Sequence, residues 1–142
     1  MLVLDEQLLG RNLEARLRRW HRGSVVFITE LRPGTVIKDD AIPVLLREQR
    51  RPTFLTINEH DFWRRVAIDE RFCVVCFALS DSRAGEIPDL LRAVFRLPEF
   101  RTKARRMGSV LRVTREQVSY YHHPDGRLRL LHLPGPLTQA QR

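Results

Sequence analysis

The residues TFLTINEHDFW, at positions 53–63, join a hydrophobic strand to a cluster of acids. A short run that is apolar at successive positions, and therefore on both faces of a strand, is typical of a parallel strand with helices on each side. This strand leads directly to Glu59 and Asp61. In open sheets of parallel strands, ligands bind outside the carboxyl ends of the strands. The segment therefore predicts a buried strand whose far end carries the chemistry of the protein.

Similar strands recur on both sides of this segment, with helical patterns between them. The predicted strands are MLVLDE at 1–6, SVVFITEL at 24–31 and FCVVCFAL at 72–79. The first connection predicts an amphipathic helix, because its apolar residues Leu9, Leu13, Leu17 and Trp20 have helical spacing. A second helix is predicted at 38–51, with Asp39 or Asp40 as its N-cap, and a third at 62–69. Strands that alternate with helices indicate an α/β fold with three layers, in which helices flank a mostly parallel central sheet.

The second half of the chain predicts an extension of this sheet. A helix opens near Gly85, is interrupted at Pro98, and is followed by a basic helix that ends at Gly108. The remaining residues predict a strand and then a hairpin over the turn at 124–126. We expect residues 1–133 to form one domain and residues 134–142 to be a loose tail.

The composition favours a polyanionic partner. The 142 residues carry a net charge of +8, with a pI near 10.9. Such a field attracts nucleic acid above all, although an arginine-rich genome would produce the same excess. No apolar run reaches the length of a membrane span and no secretory signal is recognisable, so we expect a cytoplasmic protein without membrane contact. Cys73 and Cys76 lie three apart in a strand, so they face opposite sides and are expected to be structural.

Acidic residues follow every predicted strand, which is the main functional signal. Asp5 and Glu6 end the first strand, Asp39 and Asp40 follow the second, Glu59 and Asp61 follow the third, and Asp81 follows the fourth. Acids that meet at one edge of a sheet repel one another unless a cation holds them. Carboxylates suit Mg²⁺ or Mn²⁺, and such ions assist the cleavage of phosphodiesters. Each acid could instead cap a helix, and that alternative stays open.

Two motifs in this half of the chain resemble the small, toxin-related group of PIN-like domains. VLDEQLLGRNLEARLR is similar to the D-E-N-L opening of that group, and DDAIPVLLREQRRPTFLTINEHDF is similar to its later T-x-D-x-D-F region. The resemblance covers about residues 2–80. It implies a metal-dependent ribonuclease fold. The implied catalytic residues are Asp5, Glu6, Asp39 (or its neighbour Asp40), Glu59 and Asp61, of which Asp5, Asp39, Glu59 and Asp61 would bind Mg²⁺ or Mn²⁺.

The sequence departs from these motifs at three positions. Gln7 replaces an asparagine, Ile57 replaces a threonine that supports the site, and Glu59 replaces an aspartate. Two hypotheses follow. The first is a nuclease that acts on RNA, with Arg11, Arg64 and Arg65 near the phosphates, as the toxin of a toxin–antitoxin pair with an antitoxin protein as partner. The second is a lapsed module that binds RNA or a protein. A homodimer is compatible with either.

Overall fold

The computed structural model describes residues 1–67 and 69–134. Its strands are β1 (Leu2–Leu4), β2 (Val25–Phe27), β3 (Thr53–Thr56), β4 (Cys73–Phe77), β5 (Ser109–Val113), β6 (Gln117–His122) and β7 (Arg129–His132). Its α-helices are α1 (Leu13–Arg18), α2 (Ile28–Leu31), α3 (Ile42–Arg47), α4 (Glu59–Phe62), α5 (Ile87–Arg96) and α6 (Lys103–Arg106). Short 3-10 turns cover Glu6–Leu8, Asp39–Ala41, Asp81–Glu86 and Pro98–Phe100.

One seven-stranded sheet has the order β2-β1-β3-β4-β5-β6-β7. The first five strands in this order are parallel, and β6 and β7 join as antiparallel neighbours. The predicted α/β class, the mostly parallel sheet and the C-terminal hairpin extension are therefore confirmed. No helix in the described part of the chain is long and apolar enough to cross a membrane.

Each face of the sheet packs against its own layer of helices. Leu4, Leu55 and Val75 point to one face, where they meet Leu13 and Leu17 of α1 and Leu91 of α5. Val3, Phe54 and Val74 point to the other face, where they meet Leu45 of α3 and Phe62 of α4. The alternation along each strand thus divides the core in two, which is why these strands are apolar on both faces.

The two cysteines of β4 follow the same alternation. Cys73 lies in the first core and Cys76 in the second, and both are free and buried. Burial raises the pKa of the Cys73 thiol to about 12. Both thiols are therefore protonated and unreactive at neutral pH, as predicted for structural cysteines.

Two predicted elements have different bounds in the structure. The run at 24–31 is a strand only over Val25–Phe27 and then turns into α2. The carboxylate of Glu30 accepts a hydrogen bond of 2.6 Å from the backbone N–H of Phe27, which starts the helix. The first helix begins only at Leu13, because Gly10 and Asn12 have positive φ angles of 77° and 59°.

Further predictions about helix ends were wrong. The short helix is Glu59–Phe62 and not 62–69, and neither Asp39 nor Asp40 caps α3 with its side chain. The basic helix is reduced to Lys103–Arg106, where the side chain of Thr102 caps its first turn. Gly108 follows with a φ of 88° and enters the sheet. The predicted tail, apart from Pro134, lies outside the described residues.

Candidate functional site

The direction in which successive strands are added to the sheet reverses between β1 and β3. The chain moves from β1 to β2 on one side and then returns to β3 on the other side. Ligand crevices in open α/β sheets lie at such a switch point, outside the carboxyl ends of the strands. Asp5 follows β1 and Thr56 ends β3, so both residues lie at the mouth of this crevice.

Asp5 is a buried carboxylate at the centre of this edge. It is only 4% exposed, and its backbone N–H donates to the carbonyl of Leu55 at 2.9 Å. The hydroxyl of Thr56 donates a hydrogen bond of 2.7 Å to Oδ2 of Asp5. Burial raises the pKa of Asp5 above its ordinary value of 3.8, although the Thr56 hydrogen bond acts in the opposite direction. The fold thus holds an aspartate where an ionised group is unfavourable.

Asp39 and Asp61 form a second acidic group beside the first. Both residues line the same pocket of about 310 Å³, and each affects the pKa of the other. Partial desolvation and the carboxyl of Asp61 raise the pKa of Asp39, and the charges of Asp5 and Glu6 add to this effect. The structure therefore places Asp39 and Asp61 in one pocket, and Asp5 lies near enough for its charge to affect Asp39.

The pKa of Asp61 changes in the opposite direction. Hydrogen bonds from the side chain of Asn58 and from the carboxyl of Asp39 lower it below 3.8. The amide of Asn58 donates to Oδ2 of Asp61 at 2.7 Å, and its carbonyl oxygen accepts from the backbone N–H of Asp61 at 3.2 Å. Asp61 is therefore the member of the pair that is ionised first, and Asp39 retains its proton to higher pH.

The N-caps of α3 and α4 are Ala41 and Asn58, and not these acids. The side chains of Asp5, Asp39 and Asp40 make no capping hydrogen bond to the turns that they begin. Glu59 and Asp61 lie inside the first turn of α4, but the cap is Asn58. The wider alternative, that these acids suit the positive ends of helices, stays open, because Asp39, Asp40, Glu59 and Asp61 all lie in the first turn of a helix. Backbone hydrogen bonds from Glu6 and Gln7 also lower the pKa of Asp5.

Glu59 points toward β5. Its Oε1 accepts a hydrogen bond of 3.3 Å from Nε of Arg112. Glu6 and Asp40 are exposed at the same edge, and Asp40 lines the pocket with Asp39 and Asp61. Glu59 thus has a cationic partner from the protein itself, whereas the recorded ion pairs of the described residues include neither Asp39 nor Asp61.

The three arginines expected near phosphates have different surroundings. Arg65 lines the acidic pocket, together with Arg47. Arg64 has a φ of 63° and places its guanidinium 5.1 Å from the ring centre of Tyr121. Arg11 donates to the carbonyl of Asp81 at 2.8 Å and also pairs with its carboxylate. Of the three, Arg65 is the one that shares a pocket with the acids.

Three partners of the acids were not predicted: Thr56, Asn58 and Arg112. The motif places a supporting threonine at position 57, whereas in the structure Thr56, one residue earlier, donates a hydrogen bond to Asp5. The pairing of Leu4 with Leu55 places Asp5 beside Thr56, so knowledge of the strand register would have identified it. Arg112 lies on β5, in the part of the chain without a recognisable motif.

The donor set suits a hard cation. Asp5, Asp39 and Asp61 offer only oxygen atoms, but within residues 1–67 and 69–134 no three His, Cys, Asp or Glu side chains form a group that could hold a metal ion, and these three acids are no exception. Mg²⁺ needs only one or two carboxylates, because water and phosphate oxygens complete its shell. Comparison of the chain with protein-family models, curated proteins and solved structures found no match.

Proposed function

We propose that this protein is a metal-dependent nuclease that cleaves RNA at the carboxyl edge of β1 and β3. The observation that carries the proposal is the pocket that Asp39 and Asp61 line together at the same edge of the sheet as the buried Asp5. Burial raises the pKa of Asp5, and partial desolvation together with the carboxyls of Asp61 and Asp5 raises the pKa of Asp39, so the charged forms of these two acids are disfavoured. Carboxyl groups with perturbed pKa values in a cleft are candidates for a functional role. A divalent cation would stabilise the charged forms.

Asp5, Asp39 and Asp61 would hold the ion, which is Mg²⁺ or Mn²⁺ by its oxygen ligands. When bound, such an ion stabilises charge on phosphodiester oxygens and lowers the pKa of a bound water. Thr56 orients the Asp5 carboxylate through the 2.7 Å hydrogen bond, and Asn58 fixes Asp61 in the same way. Residues that orient ligands are nearly as important for affinity as the ligands themselves.

RNA is the proposed substrate because the acidic pocket lies in a basic protein. The chain carries a net charge of +8, and Arg47 and Arg65 border the carboxylates. Arginines of this kind attract and position a phosphate backbone without reading its sequence. The resemblance to PIN-like domains supports the choice of RNA and adds an antitoxin protein as a proposed partner.

A second candidate is a PIN-like module that binds RNA without cleaving it. The pairing of Glu59 with Arg112 favours this candidate, because an arginine occupies the carboxylate that the motif assigns to the metal. The two candidates differ in their response to Mn²⁺. A nuclease binds the ion through Asp5, and a lapsed module does not.

The test is cleavage of a labelled RNA by wild-type protein and by Asp5→Asn, with Mn²⁺ and with a chelator. We expect wild-type cleavage that requires Mn²⁺ and that Asp5→Asn abolishes. Thr56→Val should reduce the rate by about 10- to 100-fold, since it removes the group that orients Asp5.

Thr53→Val is the matched control for the threonine variant. Thr53 is also buried on β3, but it lies at the opposite end of the strand from Asp5. We expect this variant to cleave RNA at the wild-type rate. Equal cleavage by wild type and Asp5→Asn would refute the proposed function. An equal loss of cleavage rate in the two threonine variants would show that the loss comes from impaired folding.

A further inference from the structure

A cleft lined by arginines lies at the edge of the sheet opposite the acids. It has a volume of about 800 Å³ and includes Arg18, Arg19, Arg22 and Arg92 in its lining. Gly23 and Ser24, which also line it, come directly before β2, and the backbone N–H of Leu2 donates to the carbonyl of Ser24. The cleft therefore lies at the amino ends of β1 and β2, where the proposed nuclease site has no residue.

The arginines of this cleft lack acidic partners. In the two described ranges, none of the four lies within ion-pair distance of an Asp or Glu side chain, although seven such pairs occur elsewhere. Only Arg18 makes a recorded side-chain hydrogen bond, of 2.8 Å, to the carbonyl of Val25. Arg19, Arg22 and Arg92 are exposed. Four concentrated positive charges without a counter-charge attract a polyanion.

The other side chains of the cleft suit a single-stranded nucleic acid. Trp20 lines the cleft and is half-buried, because part of its ring packs against the core and contacts Phe95 edge to face. Proteins that bind single strands combine a basic groove with aromatic side chains of this kind. The indole N–H of Trp20 and Nε2 of His21 are buried without a hydrogen-bond partner. Burial and the nearby positive charges of the N-terminal amine, Arg106 and Lys103 lower the pKa of His21 to about 4, so this ring is neutral at physiological pH and can donate or accept a hydrogen bond.

We propose that the cleft between the C-terminal end of α1 and α5 binds the phosphate backbone of single-stranded RNA. This site goes beyond the proposed cleavage, because it lies at the other edge of the sheet and needs no metal ion. Arg19, Arg22 and Arg92 contact phosphates, and Arg18 holds the loop before β2 in place. RNA bound here would be retained on the protein independently of the acidic crevice.

The test measures binding and not cleavage. Fluorescence anisotropy of a labelled oligouridine of about 20 nucleotides, recorded in chelator, compares wild type with the triple variant Arg19→Gln, Arg22→Gln, Arg92→Gln. Three lost phosphate contacts should reduce the slope of log affinity against log salt by about 2. Between about 50 and 200 mM salt, wild-type affinity should therefore fall about 20-fold more than that of the variant.

A matched triple variant controls for net charge. Arg32, Arg50 and Arg127 are exposed, make no recorded ion pair in the described residues, and lie outside the cleft. Their replacement by glutamine removes the same charge and should leave the salt slope near that of wild type. Equal losses in the two triple variants would overturn the site, since they would show a general effect of charge. Circular dichroism of each variant establishes that it is folded.

Competition distinguishes RNA from an acidic protein partner. We expect polyglutamate to displace the oligouridine poorly at equal charge concentration, because it lacks bases to stack on Trp20. Displacement as strong as that by unlabelled oligouridine would overturn the assignment to nucleic acid. Binding is recorded without divalent ions, so a failed cleavage experiment and a failed binding experiment remain separate results.

Discussion

Asp5 is a residue whose charge opposes folding. It is 4% exposed, and its pKa is raised above 3.8 by burial. The folded protein therefore binds a proton at Asp5 more tightly than the unfolded chain does. The free-energy cost is present in full above the raised pKa and disappears below 3.8, where both states are protonated. A buried charge that destabilises its own fold is typical of a functional site.

The variant Asp5→Asn removes this cost and should be more stable than wild type at neutral pH. We expect its advantage in free energy of unfolding to be largest near about pH 7 and to shrink toward about pH 3, because protonation neutralises the wild-type carboxyl. Urea unfolding of the two proteins at both pH values measures the difference. An advantage of the same size at both pH values would show that the charge of Asp5 is not its cause.

The acids were predictable from sequence, but their supporting residues were not. Asp5 and Asp61 follow apolar runs at positions that parallel strands bring to one edge. Thr56 and Arg112 contact the acids Asp5 and Glu59, which are 51 and 53 positions away in the chain. Such contacts depend on strand register, which apolar periodicity alone does not determine.

At the scale of elements, α4 positions one acid of the site. This helix has only four residues, and Asn58 caps it by accepting from the backbone N–H of Asp61 at 3.2 Å. A helix of one turn has little stability of its own, so its cap and its packing hold it in place. The same amide also holds the carboxylate of Asp61, so the cap and the site depend on one side chain.

Replacement of this cap should therefore affect both stability and activity. Asn58→Ala is expected to reduce the free energy of unfolding by about 1 kcal/mol and to slow Mn²⁺-dependent cleavage of RNA. Thr102→Ala provides the control, because Thr102 caps the equally short α6 by accepting from Arg105 at 3.2 Å. We expect the same loss of stability without loss of cleavage. Equal cleavage by the two variants would show that Asn58 has no role in cleavage beyond capping α4.

The elements differ in how well the sequence predicts them. The strands β3 and β4 are clear because their apolar runs end in turns or polar residues. The boundary between β2 and α2 is not visible in the sequence, since the apolar residues between Val25 and Leu31 are compatible with a strand or a helix. There the side chain of Glu30 starts the helix, and a local capping contact of this kind overrides the strand pattern.

At the scale of the molecule, the acidic pocket and the arginine cleft lie at opposite ends of the parallel strands. Asp5, Asp39 and Asp61 lie at the carboxyl edge of the parallel strands, and the arginine cleft lies at the amino edge. The net charge of +8 was visible in the sequence, but its division between two edges was not, because α1 and α5 are distant in the chain and adjacent in the fold. This arrangement would attract RNA broadly and confine cleavage to one edge.

The most direct test of a shared metal site is anomalous X-ray scattering from crystals soaked in Mn²⁺. We expect one manganese peak at the carboxyl edge, with oxygen atoms of Asp5, Asp39 and Asp61 or their bound waters at about 2 Å, and no peak in crystals of Asp5→Asn. Soaked wild-type crystals in which these three carboxylates point apart, with no manganese between them, would contradict the account.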